Sequence, residues 1–253
     1  VIQDLLAVLS GSFVGFTLGL IGGGGSVLAV PLLLYVVGIA DPHRAIGTSA
    51  LAVAVNAFAN LAQHARRGTV KWPCAAVFGG AGILGAAIGS TLGKLVDGQK
   101  LLFLFGLVMI VVAIAMARPR AAAGGGNVHL DRQNAPRLIA VGLTVGGLSG
   151  FFGIGGGFLI VPGLILGSGM AMLNAIGSSL LSVGLFGLTT SVNYALSGLV
   201  DWTIALEFIG GGVIGGYLGT RLAARLAPQR ATLNRVFALL VATVGVYILW
   251  KNI

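Results

Sequence analysis

Two stretches of this chain interrupt an apolar run with glycine and then resume it. Gly19 to Pro31 reads Gly-Leu-Ile-Gly-Gly-Gly-Gly-Ser-Val-Leu-Ala-Val-Pro, and Gly150 to Pro162 reads Gly-Phe-Phe-Gly-Ile-Gly-Gly-Gly-Phe-Leu-Ile-Val-Pro. Gly22, Gly23, Gly24, Gly25 and Ser26 in the first, and Gly153, Gly155, Gly156 and Gly157 in the second, sit just ahead of a helical apolar run. A helix that starts there leaves about four backbone N–H groups without an intrahelical partner. Such an end carries roughly half a positive charge and binds an anion with no basic side chain. The chemistry these residues predict is anion binding by main-chain amides. The competing reading is close helix packing by small residues. Neither cluster is a P-loop, because no Gly-Lys-Ser/Thr follows.

Polar side chains recur at helical spacing after each cluster. Thr48, Asn56, Asn60 and His64 lie at multiples of four with Ser49 beside them, and the later stretch carries Ser178, Ser179, Ser182, Thr189, Thr190 and Asn193. Thr48, Ser49, Asn56, Ser178, Ser179 and Asn193 are the expected partners of the glycines around a substrate, with interhelical hydrogen bonding as the alternative role. Glu207 is the one acid inside a long apolar segment, which makes it the candidate for ion or proton coupling. No Cys, His, Asp or Glu cluster has metal-ligand spacing, so no metal and no cofactor is expected. No pairing of nucleophile and base suggests an enzyme. Cys74 is the only cysteine, so an intrachain disulfide is excluded.

The elements that hold these residues are membrane helices. The chain is 57% hydrophobic and 8% charged, with a mean hydropathy of +1.01. A soluble domain carries roughly 25% charged residues, so this composition predicts an all-α polytopic membrane protein. The net charge of +9 is read as basic residues placed in loops for topology, not as a nucleic-acid surface.

The two halves repeat. Ala45-Ile46-Gly47-Thr48-Ser49 returns as Ala175-Ile176-Gly177-Ser178-Ser179, and Gly68-Thr69-Val70-Lys71-Trp72 returns as Gly198-Leu199-Val200-Asp201-Trp202. One offset serves both motifs, which marks a duplicated unit. The expected organisation is a membrane repeat over 1–118, a cytoplasmic linker over 119–136 and a second repeat over 137–253. If the chain turns back at each glycine cluster, eleven of the 15 Lys and Arg fall on one side, leaving Arg44, Lys94, Lys100 and Lys251 opposite. That bias places both termini outside the cytoplasm. Each half then crosses an odd number of times, so the second half inserts upside down. Inverted-topology repeats with glycine-broken re-entrant or short helices are the architecture of secondary transporters.

The duplicated glycine cluster followed by Val-Pro, the A-I-G-[TS]-S motif at Ala45 and Ala175, and the G-x-V-x-W motif at Gly68 and Gly198 together resemble the TauE/SafE family, also called the 4-toluene sulfonate uptake permease family. The resemblance covers both halves. It implies a secondary transporter, with export commonly inferred, for sulfur-containing anions such as sulfite, thiosulfate, sulfoacetate or organosulfonates in a bacterial inner membrane. Its partners are then the lipid bilayer and a small anionic substrate, and a channel-like anion pore of the same fold is the alternative. The first cluster departs from the second at Gly23, where the other has Ile154, and at Ser26, where the other has Gly157.

Overall fold

The computed structural model describes residues 2–117, 130–131, 134–153, 157–225 and 230–252, and among them every regular element is helical. Helix α1 (Ile2–Ile21) stops at Gly22, whose φ of 80° and ψ of −154° suit glycine alone. A 3-10 turn (Gly23–Leu28) then runs straight into the short α2 (Ala29–Leu32) and a π turn (Leu33–Val37). Pro31 cannot donate an i→i−4 bond, and the run is correspondingly irregular. Next come α3 (Pro42–Arg66), α4 (Trp72–Leu95) and α5 (Gly98–Ala117). The later part has α6 (Ala135–Phe152), α7 (Gly157–Ser168), α8 (Met172–Ala195), α9 (Trp202–Arg225) and α10 (Arg230–Lys251). Most of the expected linker over 119–136 lies outside the described residues.

The helix ends are written in the local sequence. Asp41 caps α3 by accepting from the His43 N–H at 2.9 Å, with Pro42 in the first helical position. Gly68 and Gly198 close α3 and α8 in the left-handed conformation. The next amides, of Thr69 and Leu199, bond back to the carbonyls of His64 and Tyr194 at 3.3 and 3.0 Å. Every described residue with positive φ is a glycine, and the six fall into matching pairs: Gly22 with Gly153, Gly38 with Gly169, Gly68 with Gly198.

Packing between the halves is reciprocal. Along α1, a Cβ on Gly11, Gly15 or Gly19 would overlap the carbonyl of Phe208, Gly212 or Gly216 on α9. Along α6, a Cβ on Gly142, Gly146 or Gly150 would overlap the carbonyl of Phe78, Gly82 or Ala86 on α4. The first helix of each half therefore lies directly on the backbone of the fourth helix of the other, an approach only small residues permit. Residue numbers rise together in both pairs, so each runs parallel. The third helices meet each other, α3 on α8, in the opposite sense: Gly47 lies against Tyr194, Ala54 against Gly187 and Phe58 against Gly184. Helices α5 and α10 pack through Gly106 and Gly245.

Among the described residues, α1, α3, α4, α6 and α8 are long and apolar enough to cross a membrane, and shorter apolar helices lie among them. Large apolar side chains on the outer faces stay exposed, among them Leu84, Ile88 and Leu92 along α4. Trp72, Trp202 and Trp250 sit exposed at helix ends, where an aromatic belt meets the headgroups.

Candidate functional site

The two glycine segments come together inside the bundle. The 3-10 turn at Gly23–Leu28 packs against α7, and also against α1 and the start of α8. Gly22 lies under Ile176, where a Cβ would come within 2.8 Å of the Ile176 Cγ2. Gly153 lies in the same way under Ile46. Each glycine break is thus covered by the isoleucine of the other half's A-I-G-[TS]-S motif. Gly25 is pressed onto the backbone of α1 at Thr17 and Leu18, whereas among the described residues a Cβ on Gly24 would meet Ile21 and Phe237 at 3.7 and 4.0 Å. Ser26 is fully buried. Gly157 opens the 12-residue α7 and is buried, while Gly155 and Gly156 lie outside the described residues.

The first cluster differs from its expected form. Its glycines are not a loop ahead of a regular α-helix; they are themselves the 3-10 turn, with the Gly25 N–H bonded to the Gly22 carbonyl at 3.2 Å. Four consecutive residues with almost no side chain leave the backbone free to tighten, and α2 behind them has only four residues.

The repeated motifs turn out to be halves of one joint. The Thr48 hydroxyl accepts from the Asp201 N–H at 2.9 Å, and the Ser178 hydroxyl accepts from the Lys71 N–H at 2.9 Å. Asp201 and Lys71 precede α9 and α4, so each hydroxyl satisfies an amide at the start of the other half's fourth helix. Gly47 gives room to the Leu199 carbonyl, and Gly177 to Thr69. The A-I-G-[TS]-S of one half is therefore seated in the G-x-V-x-W of the other, twice. Thr48 and Ser178 are occupied by this joint. Ser49 and Ser179 bond back to the carbonyls of Ile46 and Ile176 at 2.9 and 2.8 Å, one turn along from the isoleucines that cover the glycine breaks.

Asn56 lies about 10 Å further along α3 than Ser49, at 1.5 Å per residue. It is fully buried against Gly212, and neither its Nδ2 nor its Oδ1 has a hydrogen-bond partner among the described residues. Asn60 follows one turn later, donating to the Asn56 carbonyl at 3.0 Å and accepting from Thr220 at 3.0 Å. The hydroxyls of Ser149, Ser182 and Thr190 are likewise buried without partners among the described residues.

Asn193 stands apart from the glycines. It accepts from the Lys94 Nζ at 2.8 Å and donates to Ser90 and Thr91 at 2.7 and 3.0 Å, in a cluster that ties the end of α8 to the end of α4. At the matching place in the other half, Arg67 at the end of α3 donates to the Thr220 carbonyl of α9 at 3.0 Å. Glu207 is half-buried on the second turn of α9, five residues before the Gly212 that faces Asn56; its Oε2 has no partner among the described residues. No group of three or more His, Cys, Asp or Glu that could hold a metal occurs among the described residues.

Ile46, Ile176, Lys94 and Arg67 are the participants that residue chemistry alone passed over. The isoleucines did carry a signal, since they recur at one position of a duplicated motif that was read for its hydroxyls.

The family model of the sulfite exporter TauE/SafE matches residues 7–248. A probable membrane transporter protein of Xylella fastidiosa (strain 9a5c) is 56% identical over 256 residues, covering 99% of this chain and 97% of the relative. The probable membrane transporter protein YunE of Bacillus subtilis is 27% identical over 98% of both chains. A probable membrane transporter protein of Methanocaldococcus jannaschii is 28% identical over 79% of this chain and 72% of the relative. No solved structure matches. With the match running across nearly every helix described above, this chain is a membrane transporter belonging to the TauE/SafE family.

Proposed function

We propose that this protein carries sulfur-containing oxyanions, such as sulfite, thiosulfate or an organosulfonate, across a bacterial inner membrane by alternating access. Two repeats of inverted topology, over 1–118 and 137–253, are joined by a linker over 119–136. The antiparallel crossing of α3 on α8 and the exchanged pairing of α1 with α9 and α6 with α4 support a two-fold relation that reverses helix direction. Both termini then face away from the cytoplasm. The observation that carries the reading is the convergence of the glycine breaks, Gly22 under Ile176 and Gly153 under Ile46.

In this site the main-chain amides of Gly22–Ser26 and Gly153–Gly157 that are not already bonded within the chain, as those of Gly25 and Gly153 are, hold the anion's oxygens, with Ser49 and Ser179 at its edge. Backbone donors suit an oxyanion because they bring partial positive charge without a counter-ion that would hold the substrate too tightly to release. Asn56, with an amide that has no partner among the described residues, receives the substrate as it leaves the glycines. The Arg67 to Thr220 and Lys94 to Asn193 ties close the two mouths. Efflux of an anion from a negative-inside cell is driven by about 2.3 kcal/mol per charge per 100 mV, so export requires no coupled ion. Glu207 is the coupling residue if uptake is the working direction.

The test is counterflow of labelled sulfite in proteoliposomes. Saturable exchange with unlabelled sulfite, lost in the Gly153→Val protein, is the expected result. Single-channel currents without counterflow would replace the carrier by a pore.

A further inference from the structure

Away from the glycine site, two cavities meet on the flank formed by α1, the 3-10/α2 run and α10. One is an apolar groove of about 280 Å³ lined by Phe13, Leu28, Pro31, Tyr35, Leu240 and Tyr247 among others. The second, of about 320 Å³, shares Tyr35 and is lined by Gln99, Lys251 and Asn252 together with apolar residues. Among the described residues no carboxylate lines either of them. The groove follows α10 from Leu240 to Tyr247, about 10 Å at 1.5 Å per residue, and one further turn reaches Lys251. Lys251 is exposed, with its Nζ 4.6 Å from the Tyr35 ring centroid and 6.0 Å from that of Tyr247. Asn252 donates to the Tyr35 hydroxyl at 3.2 Å, and the Tyr35 and Tyr247 rings stand edge to face at 5.1 Å. Trp250 beside them is 75% exposed, as a residue at the headgroup level would be.

We infer that this flank is a binding site for an anionic phospholipid, its phosphate at Lys251 and Gln99 and one acyl chain in the groove beneath. The charge matches: a cation and the Gln99 amide stand at the mouth, while Asn252 spends its amide on the Tyr35 hydroxyl and the Ile248 carbonyl and holds the tyrosine in place, and an apolar slot runs from the mouth toward the membrane interior. The length matches too, since the slot begins where a headgroup lies and continues inward along α10. A second copy of this chain would cover the groove but would leave the Lys251 cavity without an anion. The site bears on transport because Leu28 and Pro31 belong to the helical run that begins at Gly23. A chain seated against them braces the glycine turn from behind, so lipid occupancy sets how readily that turn moves.

The experiment uses the full chain in a neutral detergent, with melting temperature and native mass spectrometry as readouts. Phosphatidylglycerol is expected to raise the melting temperature by about 5 °C and to remain bound as one or two lipids per monomer. Phosphatidylcholine and inorganic phosphate are expected to do neither. Lys251→Gln should cut the phosphatidylglycerol shift by at least half, and Val244→Trp, which fills the slot, should abolish it while leaving the lipid-free melting temperature near that of the native protein. An equal shift from phosphatidylcholine, or a full shift in Lys251→Gln, overturns the headgroup assignment. A full shift from phosphate alone shows a free-ion site and overturns the lipid. A dimer that Val244→Trp dissociates overturns it in favour of a self-interface. Sulfite counterflow measured on the same variants is a separate quantity, so failure of the lipid site and failure of the transport reading are told apart.

Discussion

Replacing Thr48 by Val, or Ser178 by Ala, separates a structural hydroxyl from a substrate ligand. Both residues are fully buried, and each oxygen accepts one backbone N–H at 2.9 Å from the other half. Valine keeps the shape of threonine and removes the acceptor. What is left is an amide at a helix start with no partner, which costs about 1–2 kcal/mol, the range for a lost N-cap and for an orphaned buried donor. For a chain of this size that corresponds to a melting temperature lower by about 2–6 °C. The two bonds have separate partners, so the double variant should lose the sum to within about 0.5 kcal/mol. Thermal unfolding in detergent measures the loss, and substrate affinity of the surviving folded protein, by titration calorimetry, is expected to stay within twofold of native. The reasoning fails if either substitution leaves stability intact and weakens substrate binding tenfold, because the hydroxyl would then serve the substrate and not the joint.

Further consequences follow from the same contacts. Gly153→Ala meets the Ile46 side chain from a left-handed backbone that costs alanine about 1–2 kcal/mol, so adding Ile46→Ala removes the overlap and should restore part of the counterflow it loses. Gly22→Ala meets Ile176 from a backbone region open only to glycine, so Ile176→Ala should not rescue it; rescue of both or of neither by flux assay contradicts this. Asn56→Leu removes a buried amide that has no partner among the described residues, and should raise the melting temperature by the equivalent of about 1 kcal/mol while reducing sulfite flux at least tenfold. Lys94→Met and Arg67→Met each untie one mouth, and cysteine-accessibility labelling should rise at opposite faces in the two variants; labelling at one common face would end the two-mouth scheme.

The segment order and the positions of the breaks were legible in the sequence because each is a local property. Glycine at a positive φ and a proline or aspartate at a helix start act over a few residues. What the hydroxyls of Thr48 and Ser178 do was not legible. A serine near a helix start reads the same whether it faces a substrate or an amide 107 residues earlier, as Ser178 does. Asn193 has partners that were not legible, for a related reason. It sits on the correct helix, yet its partner Lys94 comes from a different one, and only the packing of α4 on α8 brings them together. The 3-10 form of the first cluster also escaped, since nothing in four successive glycines selects that turn over an open loop until Leu18 and Ile176 press on it.

The two halves match in backbone contacts but not in what fills them, and the difference has a direction. At the α3/α9 crossing Asn56 lies over Gly212; at the equivalent α8/α4 crossing Phe186 lies over Gly82 and stacks on Phe78 with centroids 6.2 Å apart. Opening the first crossing to water gives the Asn56 amide partners that it lacks among the described residues, a gain of about 1–3 kcal/mol. Opening the second exposes aromatic surface, which is unfavourable by roughly 25 cal/mol per Å². In the proposed cycle the two access states are therefore unequal without substrate, and the state open at the Arg67 mouth is populated more than the state open at the Lys94 mouth. The Asn56→Leu protein loses that contribution, so the ratio of molecules labelled from the Arg67 face to those labelled from the Lys94 face should fall by up to about 5- to 160-fold relative to native. A native protein that labels equally at both faces would mean that the substitution of Asn for Phe across the pseudo-symmetry does not set the resting state.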